Sequence, residues 1–173
     1  LIEELQKEPI QYRTIIFLLL DSGMRRGELL GLEWKDIDWE KHTVYIRRNS
    51  VYLPQKGVFT ETPKTKKSIR TIKLPGESLD MLRQYRAWQA QERLKLGDQW
   101  QDHDRIFTTW NGKPMHPSTV TGWFSKFAAR IGLPDGITVH SLRHTNATLL
   151  IAAGTNIRTI SARLGHAQTS TTT

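Results

Sequence analysis

The longest apolar run in the chain, IIFLLL at residues 15–20, constrains the fold more than any other feature. It is bounded by Arg13 and Asp21 and is far shorter than the roughly 20 apolar residues with which a helix spans a bilayer. The run therefore predicts a helix buried in a protein core. With 173 residues, of which 38% are hydrophobic, the chain is long enough to enclose one core and short for two. We expect a single domain over residues 1–173.

Hydrophobic periodicity divides the chain into helices and a small β region. Apolar residues recur at helical spacing over residues 10–22, 77–96, 118–131 and 140–153, whereas β-branched and aromatic residues cluster at 43–46. Two further extended segments, near residues 58–62 and 68–74, flank the polar sequence PKTKK and predict a basic hairpin. The expected fold class is mainly α with a small antiparallel β-sheet (α+β).

The charge and composition limit the classes of partner. Lys and Arg outnumber Asp and Glu by 25 to 17, and the resulting formal net charge of +8 predicts a polyanionic partner such as nucleic acid. The chain contains no cysteine, so a disulfide framework and a thiolate-ligated zinc site are excluded within it. We expect a cytoplasmic protein with no membrane partner, because no signal peptide or membrane-spanning run is evident.

The segment HSLRHTNATLL, residues 140–150, places His140, Arg143 and His144 on one face of a predicted helix. Zinc ligation by His140, His144 and His166 is one interpretation, but the glutamate of the His-Glu-x-x-His motif is missing and Arg143 would repel the cation. A phosphate site is the second, since a guanidinium binds phosphate bidentately and an imidazole moves protons near neutral pH. The third is that His140 merely caps the helix and Arg143 pairs with a surface acid.

Four sequence features decide between these interpretations because they occur together and in order. They are SGMRRGELLGL at residues 22–32, PKTKKSIRTIKL at 63–74, HSLRH at 140–144 and LGH at 164–166. Together they resemble the catalytic domain of the tyrosine recombinases, the phage integrase family, over almost the whole chain. The resemblance implies that domain's fold and a site-specific DNA recombinase or integrase from a phage or another mobile genetic element. The alternative is a noncatalytic DNA-binding protein on the same fold.

The resemblance also implies a catalytic set. Arg25 and Arg143 match the paired arginines that hold the scissile phosphate, a role suited to fixed cations because in-line attack builds negative charge on the phosphate oxygens. His140 matches a histidine with an acid–base or phosphate-binding role, and His166 one that donates a hydrogen bond to the same phosphate. The family needs neither a metal nor another cofactor for this transesterification.

A lysine of the predicted hairpin completes the set. Lys64 is the best match to the lysine that protonates the leaving 5′ hydroxyl, although the register of the hairpin leaves Lys66 and Lys67 open for that role. Glu28 aligns with an acidic residue that supports the arginine site, or is an ordinary helix carboxylate. His144 is either a supporting partner or a neutral helix residue. We expect further DNA contacts from Lys66, Lys67, Arg70, Lys126 and Arg130.

The family's nucleophile is a tyrosine that attacks the phosphate and lies about nine or ten residues after the histidine of the LGH motif. Here seven residues follow His166, and the tyrosines at 12, 45, 52 and 85 all precede HSLRH. We therefore expect the tyrosine segment and the amino-terminal DNA-binding domain to lie outside these residues, so that this chain binds DNA without cleaving it. The expected partners are double-stranded DNA and further copies of the protein, as a synaptic homotetramer.

Overall fold

A computed structural model describes residues 2–152 of the chain, with side chains from residue 3 to residue 146. The helices are α1 (Ile2–Leu5), α2 (Ile10–Ser22), α3 (Arg26–Leu30), α4 (Gly76–Leu96), α5 (Pro117–Arg130) and α6 (Val139–Ala152). The strands are β1 (Ile37–Asp38), β2 (Thr43–Ile46), β3 (Asn49–Leu53), β4 (Gly57–Glu61) and β5 (Arg70–Lys73), and short 3-10 turns occur at Trp34–Asp36, Lys66–Ser68 and Gly97–Gln99. The predicted α+β class is confirmed.

The apolar run IIFLLL, residues 15–20, forms nearly half of α2, and α2 lies at the centre of the core. Ile15 and Ile16 are fully buried, and Leu18 and Leu19 are nearly so. The helix ends at Gly23, whose φ of 70° lies in the left-handed region and whose N–H donates to the carbonyl of Leu19 over 3.0 Å. Both α4 and α6 pack against it. None of the described helices is long and apolar enough to cross a bilayer.

Aromatic side chains of α4, of α5 and of Phe107 also belong to the core. Tyr85 of α4 packs against Phe107 with ring centroids 5.2 Å apart, and both side chains are fully buried. On α5 the apolar face expected at helical spacing is observed, because Phe124 and Phe127 are almost completely inaccessible to solvent. The core therefore fixes the positions of α5 and α6, whose amino-terminal ends border the candidate site.

The β region differs from the predicted hairpin. The central strand β2 pairs antiparallel with β1 and with β5, whereas β3 and β4 form a separate two-stranded sheet, with Val51 opposite Phe59. The prediction that residues 58–62 and 68–74 pair with each other is therefore wrong. Val44 and Ile72 face each other and are buried, so core packing draws β5 to β2. The strand that sequence reasoning missed, β3, takes β4 as its partner.

Helix α3 lies directly on β3, and a glycine makes that approach possible. A Cβ atom on Gly27 would lie 2.1 Å from Oδ1 of Asn49 and 2.9 Å from the carbonyl oxygen of Ser50. The second of these atoms belongs to the backbone of β3 and has little freedom to move. Any side chain at position 27 would therefore push α3, and Arg25 just before it, away from the sheet.

We expect Gly27→Ala to lower the free energy of unfolding by about 1–3 kcal/mol, because an added methyl group overpacks this contact. The matched control is Gly122→Ala, since Gly122 lies on an exposed part of α5 with nothing within 4 Å of the added Cβ. The free energy of unfolding of Gly122→Ala should rise by up to about 1 kcal/mol, because alanine has a higher helix propensity than glycine. Urea denaturation measures both, and equal effects of the two substitutions would contradict the packing argument.

Candidate active site

A cleft of about 750 Å³ opens between α3, β3 and the amino-terminal ends of α5 and α6. Its lining comprises Met24, Arg25, Arg26, Gly27, Asn49, Ser50, Val51, Tyr52, His116, Pro117, Ser118, Thr121, Thr138, Val139, His140 and Arg143. The fold thus brings Arg25 from the first part of the chain together with His140 and Arg143 from the last described helix. These are three of the five residues predicted as catalytic.

Arg143 lies in the second turn of α6 and is only 5% exposed. Burial lowers the pKa of its guanidinium to about 10, and the positive charge of Arg25 contributes in the same direction, while the carboxylate of Glu28 opposes both. At neutral pH the group remains protonated. A bound anion would offset both the desolvation and the repulsion, so the cleft is electrostatically prepared for one.

Arg25 precedes α3 and differs from Arg143 in its exposure, since 46% of its side chain is accessible to solvent. Its backbone N–H donates to Oε1 of Glu28 over 2.8 Å, which fixes the chain at the start of α3. Its guanidinium Nη1 lies 3.9 Å from Oε2 of the same carboxylate, too far for a hydrogen bond. The guanidinium therefore remains available to the cleft.

Glu28 is buried and accepts two short hydrogen bonds from Arg70 instead. Nη1 of Arg70 donates to Oε2 over 2.7 Å and Nη2 to Oε1 over 3.0 Å, a bidentate pair in which Arg70 is 7% exposed. Burial alone would raise the pKa of the Glu28 carboxyl, but the hydrogen bonds and charges of Arg70 and Arg25 hold it below its ordinary value. The sequence predicted Arg70 as a DNA contact, and the structure places its guanidinium against Glu28 in the interior.

The two histidines of the HSLRH segment lie on the exposed side of α6. His140 is in the first turn and lines the cleft, and His144 follows one turn later. The helix is capped by a different residue, since the N–H of Thr138 donates to Oγ of Ser141 over 2.9 Å and the N–H of Ser141 donates to the carbonyl of Thr138 over 3.0 Å. The hydrogen bonds described at the start of α6 thus involve Thr138 and Ser141.

The predicted lysines lie on the exposed loop between β4 and β5. Lys64, Lys66 and Lys67 are all exposed, and the described residues that line the cleft do not include them. On α5, Lys126 and Arg130 are exposed, and Arg130 forms an ion pair with Glu8. His166, predicted to complete the phosphate site, lies outside the described residues.

Sequence reasoning missed the wall of the cleft formed by β3 and α5. Tyr52 packs on His116 with ring centroids 4.1 Å apart, and Nδ1 of His116 accepts the N–H of Ser118 over 3.0 Å to cap α5. Across the cleft, Arg26 donates to Oγ1 of Thr121 over 2.5 Å. A histidine directly before a proline at a helix start was the available signal for the cap.

The donor set favours an anion over a cation. Within residues 2–152, no three His, Cys, Asp or Glu side chains come together in a group able to hold a metal ion. The cleft is instead lined by three arginines, Arg25, Arg26 and Arg143, and by two histidines, His116 and His140. This arrangement suits an oxyanion with several acceptor oxygens.

Comparison with known proteins gives a consistent result. The model of the phage integrase family matches residues 1–173. The chain is 35% identical over 171 residues to the tyrosine recombinase XerC-like protein of Caldanaerobacter subterraneus subsp. tengcongensis, and 31% identical over 168 residues to the ICEBs1 integrase of Bacillus subtilis. The alignments cover 92% and 96% of this chain but 44% of each relative. The chain therefore spans less than half the length of these relatives.

Solved structures share the fold. The Tn1549 transposon integrase in complex with circular intermediate DNA superposes with a TM-score of 0.84 at 24% identity, covering 99% of this chain and 57% of that one. The XerA recombinase superposes with a TM-score of 0.76 at 26% identity, covering 99% and 54%.

We expect Glu28→Gln to lower the free energy of unfolding at pH 7 by about 3–5 kcal/mol, since it leaves the buried guanidinium of Arg70 without its counter-charge. The pKa of Glu28 is below its ordinary value of 4.5, so the carboxylate stabilises the fold above that pH and loses this effect as the pH falls through its folded pKa. The difference in free energy of unfolding between the wild type and Glu28→Gln should therefore be smaller at low pH. Urea denaturation at pH 7 and pH 3 measures it.

The control is Glu92→Gln, which removes one partner of the exposed Glu92–Lys95 pair. It should change stability by less than about 1 kcal/mol at either pH. If Glu28→Gln lowers the free energy of unfolding equally at pH 7 and pH 3, the charge of Glu28 is not what stabilises the fold.

Proposed function

Because the chain belongs to the phage integrase family, we propose that it is the catalytic domain of a site-specific DNA recombinase or integrase. The domain binds double-stranded DNA and holds a scissile phosphate for strand cleavage and rejoining through a 3′-phosphotyrosyl intermediate. One observation carries the proposal: Arg25, His140 and Arg143 line a single cleft. The relatives named above include recombinases and integrases, and one of them was solved in complex with DNA.

The arginines perform the electrostatic part of the reaction. A tyrosine hydroxyl attacks the phosphorus in line, the new P–O bond forms as the bond to the 5′ oxygen breaks, and negative charge grows on the non-bridging oxygens. Arg143 is buried and Arg25 is held at the start of α3, so both cations are in place before the reaction and need little reorganisation. Removing either one should slow the chemical step more than it weakens DNA binding.

Proton transfers are assigned to groups near the cleft and on the loop. We assign to His140 the removal of the proton from the attacking hydroxyl, and to Lys64 the return of a proton to the leaving 5′ oxygen. Lys66 and Lys67 share the same exposed loop and remain candidates for this second step. We assign to His166 a hydrogen bond to the same phosphate, and to His144 a supporting role beside Arg143. One phosphodiester is exchanged for another, so no nucleotide or metal is consumed.

We infer that the nucleophile is supplied by a tyrosine beyond residue 173. Tyr85 is buried in the core, where a phosphate cannot reach it, and burial raises the pKa of its hydroxyl so that it stays protonated at neutral pH. Tyr12 is stacked on Trp123 at 4.7 Å, away from the cleft lining. Tyr45 lies on the outer face of β2, and Tyr52 packs with its ring tilted against His116 in the wall of the cleft.

The proposed assembly is a homotetramer on two paired DNA sites, with an amino-terminal domain on the opposite face of each duplex. The cationic surface of this chain supports the DNA contact, since its net charge is +8. Exposed Lys126 on α5 and the lysines of the β4–β5 loop are the proposed phosphate contacts outside the cleft.

The reaction is tested with the full-length product of the gene that encodes this chain. The protein is incubated in a metal chelator with a nicked suicide duplex that carries its attachment site, and a denaturing gel detects covalent protein–DNA adducts. We expect an adduct that forms without metal and is reduced about 100- to 1000-fold in rate by Arg25→Ala or Arg143→Ala, as expected for loss of one preorganised donor.

Arg93→Ala is the matched control, because Arg93 pairs with Asp102 on the surface and lies outside the cleft. It should form the adduct at the wild-type rate. A protein that binds its site tightly but forms no adduct would favour the noncatalytic DNA-binding alternative.

The surface contacts are tested by the salt dependence of binding to a duplex. Lys126→Ala should reduce the slope of log Kd against log salt concentration by about one, the effect of losing one phosphate contact. Arg130→Ala serves as the comparison on the same helix, and its effect should be smaller because Arg130 is already paired with Glu8. Equal slopes for Lys126→Ala and the wild type would remove Lys126 from the interface.

A further inference from the structure

We propose that Arg70 is a positioning residue that couples the loop carrying Lys64, Lys66 and Lys67 to the helix start that carries Arg25. The inference rests on the proposed function, because it concerns how two parts of the same catalytic site are kept in register. The sequence around Arg70 predicted a direct contact with DNA. In the structure its guanidinium faces the buried carboxylate of Glu28.

The first link joins Arg70 to the lysine loop. Nη1 of Arg70 donates to the carbonyl oxygen of Ser68 over 2.7 Å. Ser68 ends the 3-10 turn Lys66–Ser68. Its N–H donates to the carbonyl of Thr65 over 3.2 Å, and the N–H of Ile69 donates to the carbonyl of Lys66 over the same distance. The hydroxyl of Ser68 lies 3.0 Å from Oγ1 of Thr65. The guanidinium thus fixes the turn through its backbone and leaves the lysine side chains exposed.

The second link joins Arg70 to α3. The same guanidinium holds both carboxylate oxygens of Glu28, at 2.7 and 3.0 Å, and Oε1 of Glu28 accepts the N–H of Arg25 over 2.8 Å. A continuous series of hydrogen bonds therefore runs from Ser68 through Arg70 and Glu28 to Arg25. Its ionic members, Arg70 and Glu28, are more than 90% buried, so water does not compete for these bonds and they are stronger than exposed ones.

This arrangement also determines which arginine faces the phosphate. Glu28 has two short bonds to Arg70 and only a 3.9 Å approach to the guanidinium of Arg25. Arg70 satisfies the carboxylate, and Arg25 keeps its positive charge for an anion in the cleft. Without Arg70, Glu28 would pair with Arg25 and compete directly with the scissile phosphate.

The geometry of arginine is essential to this role. One guanidinium supplies parallel donors to a carboxylate and a further donor to the carbonyl of Ser68, whereas the ammonium of a lysine at the same site cannot match that planar fork. Arg70→Lys therefore preserves the charge and disturbs the register. A small displacement of catalytic groups is enough to cost about 100-fold in rate.

The test measures single-turnover cleavage of the nicked suicide duplex and, separately, its Kd, with the full-length gene product. We expect Arg70→Lys to slow adduct formation about 100-fold while the Kd stays within about threefold. Arg70→Ala should be slower still, and Arg70→Ala combined with Glu28→Gln should recover at least about tenfold relative to Arg70→Ala, since the neutral amide that replaces the carboxylate no longer competes for Arg25. Arg93→Ala is the control and should match the wild type.

Several outcomes would overturn the proposal. Wild-type cleavage by Arg70→Lys would do so, as would a double variant no faster than Arg70→Ala, which would indicate a merely structural role. A loss of about one unit in the salt slope of DNA binding on Arg70→Lys would instead make Arg70 a phosphate contact.

A second measurement keeps this test separate from that of the proposed function. In the chain itself, without DNA, hydrogen exchange of residues 64–68 and 25–28 should accelerate together by about tenfold or more in Arg70→Lys, with residues 117–130 unchanged. If hydrogen exchange in Arg70→Lys accelerates in neither segment, or in only one of them, the coupling is contradicted. This conclusion holds even if the wild type forms no adduct. If exchange accelerates in both segments of Arg70→Lys but the wild type forms no adduct, only the recombinase proposal is contradicted.

Discussion

A buried carboxylate, Glu28, is the group on which the candidate site depends. Burial of a charge is unfavourable unless the charge is paired and hydrogen-bonded, and Glu28 meets both conditions through the fork of Arg70 and the backbone N–H of Arg25. The interaction joins β5 to the start of α3. It also leaves the guanidinium of Arg25 directed to the cleft. One ion pair thus serves the fold and the site together.

Helix α3 has only five residues, too few to be stable alone, and its surroundings keep it in place. At its carboxyl end, Arg105 donates to the carbonyl of Leu30 over 2.8 Å, and Arg48 donates to that of Gly31 over 2.9 Å. Arg48 is itself held by Asp36 over 2.5 Å. The two ends of α3 are therefore fixed by opposite chemistry, a carboxylate at the amino end and guanidiniums at the carboxyl end, as the helix dipole favours.

The other half of the cleft depends on core packing. Asn146 of α6 donates to the carbonyl of Leu20 over 2.6 Å, which attaches α6 to the end of α2, shortly before Arg25. Arg143 lies on the same helix, within the electrostatic influence of Arg25. The positive charge of Arg25 lowers the pKa of Arg143, which is the sign of repulsion between the two guanidiniums, and the packing of α6 against α2 keeps Arg143 in place. An anion between them would relieve that repulsion, which is the physical basis of the proposed phosphate site.

The sequence by itself determined the fold class, the buried α2 and the residue types of the site. Apolar runs and helical spacing reflect burial of one face, which is a local property of the chain, and the ordered motifs around Arg25 and Arg143 identified the family. Only the tertiary structure decided that β5 pairs with β2, that Arg70 faces Glu28 and that His116 borders the cleft beside Tyr52. These contacts join residues that are far apart in the sequence. Several partners are compatible with the local sequence, and the packing of the whole fold determines which of them meet. A basic residue after PKTKK has the same local signal whether its guanidinium faces a DNA phosphate or a buried carboxylate, because the difference lies in which surface the fold covers.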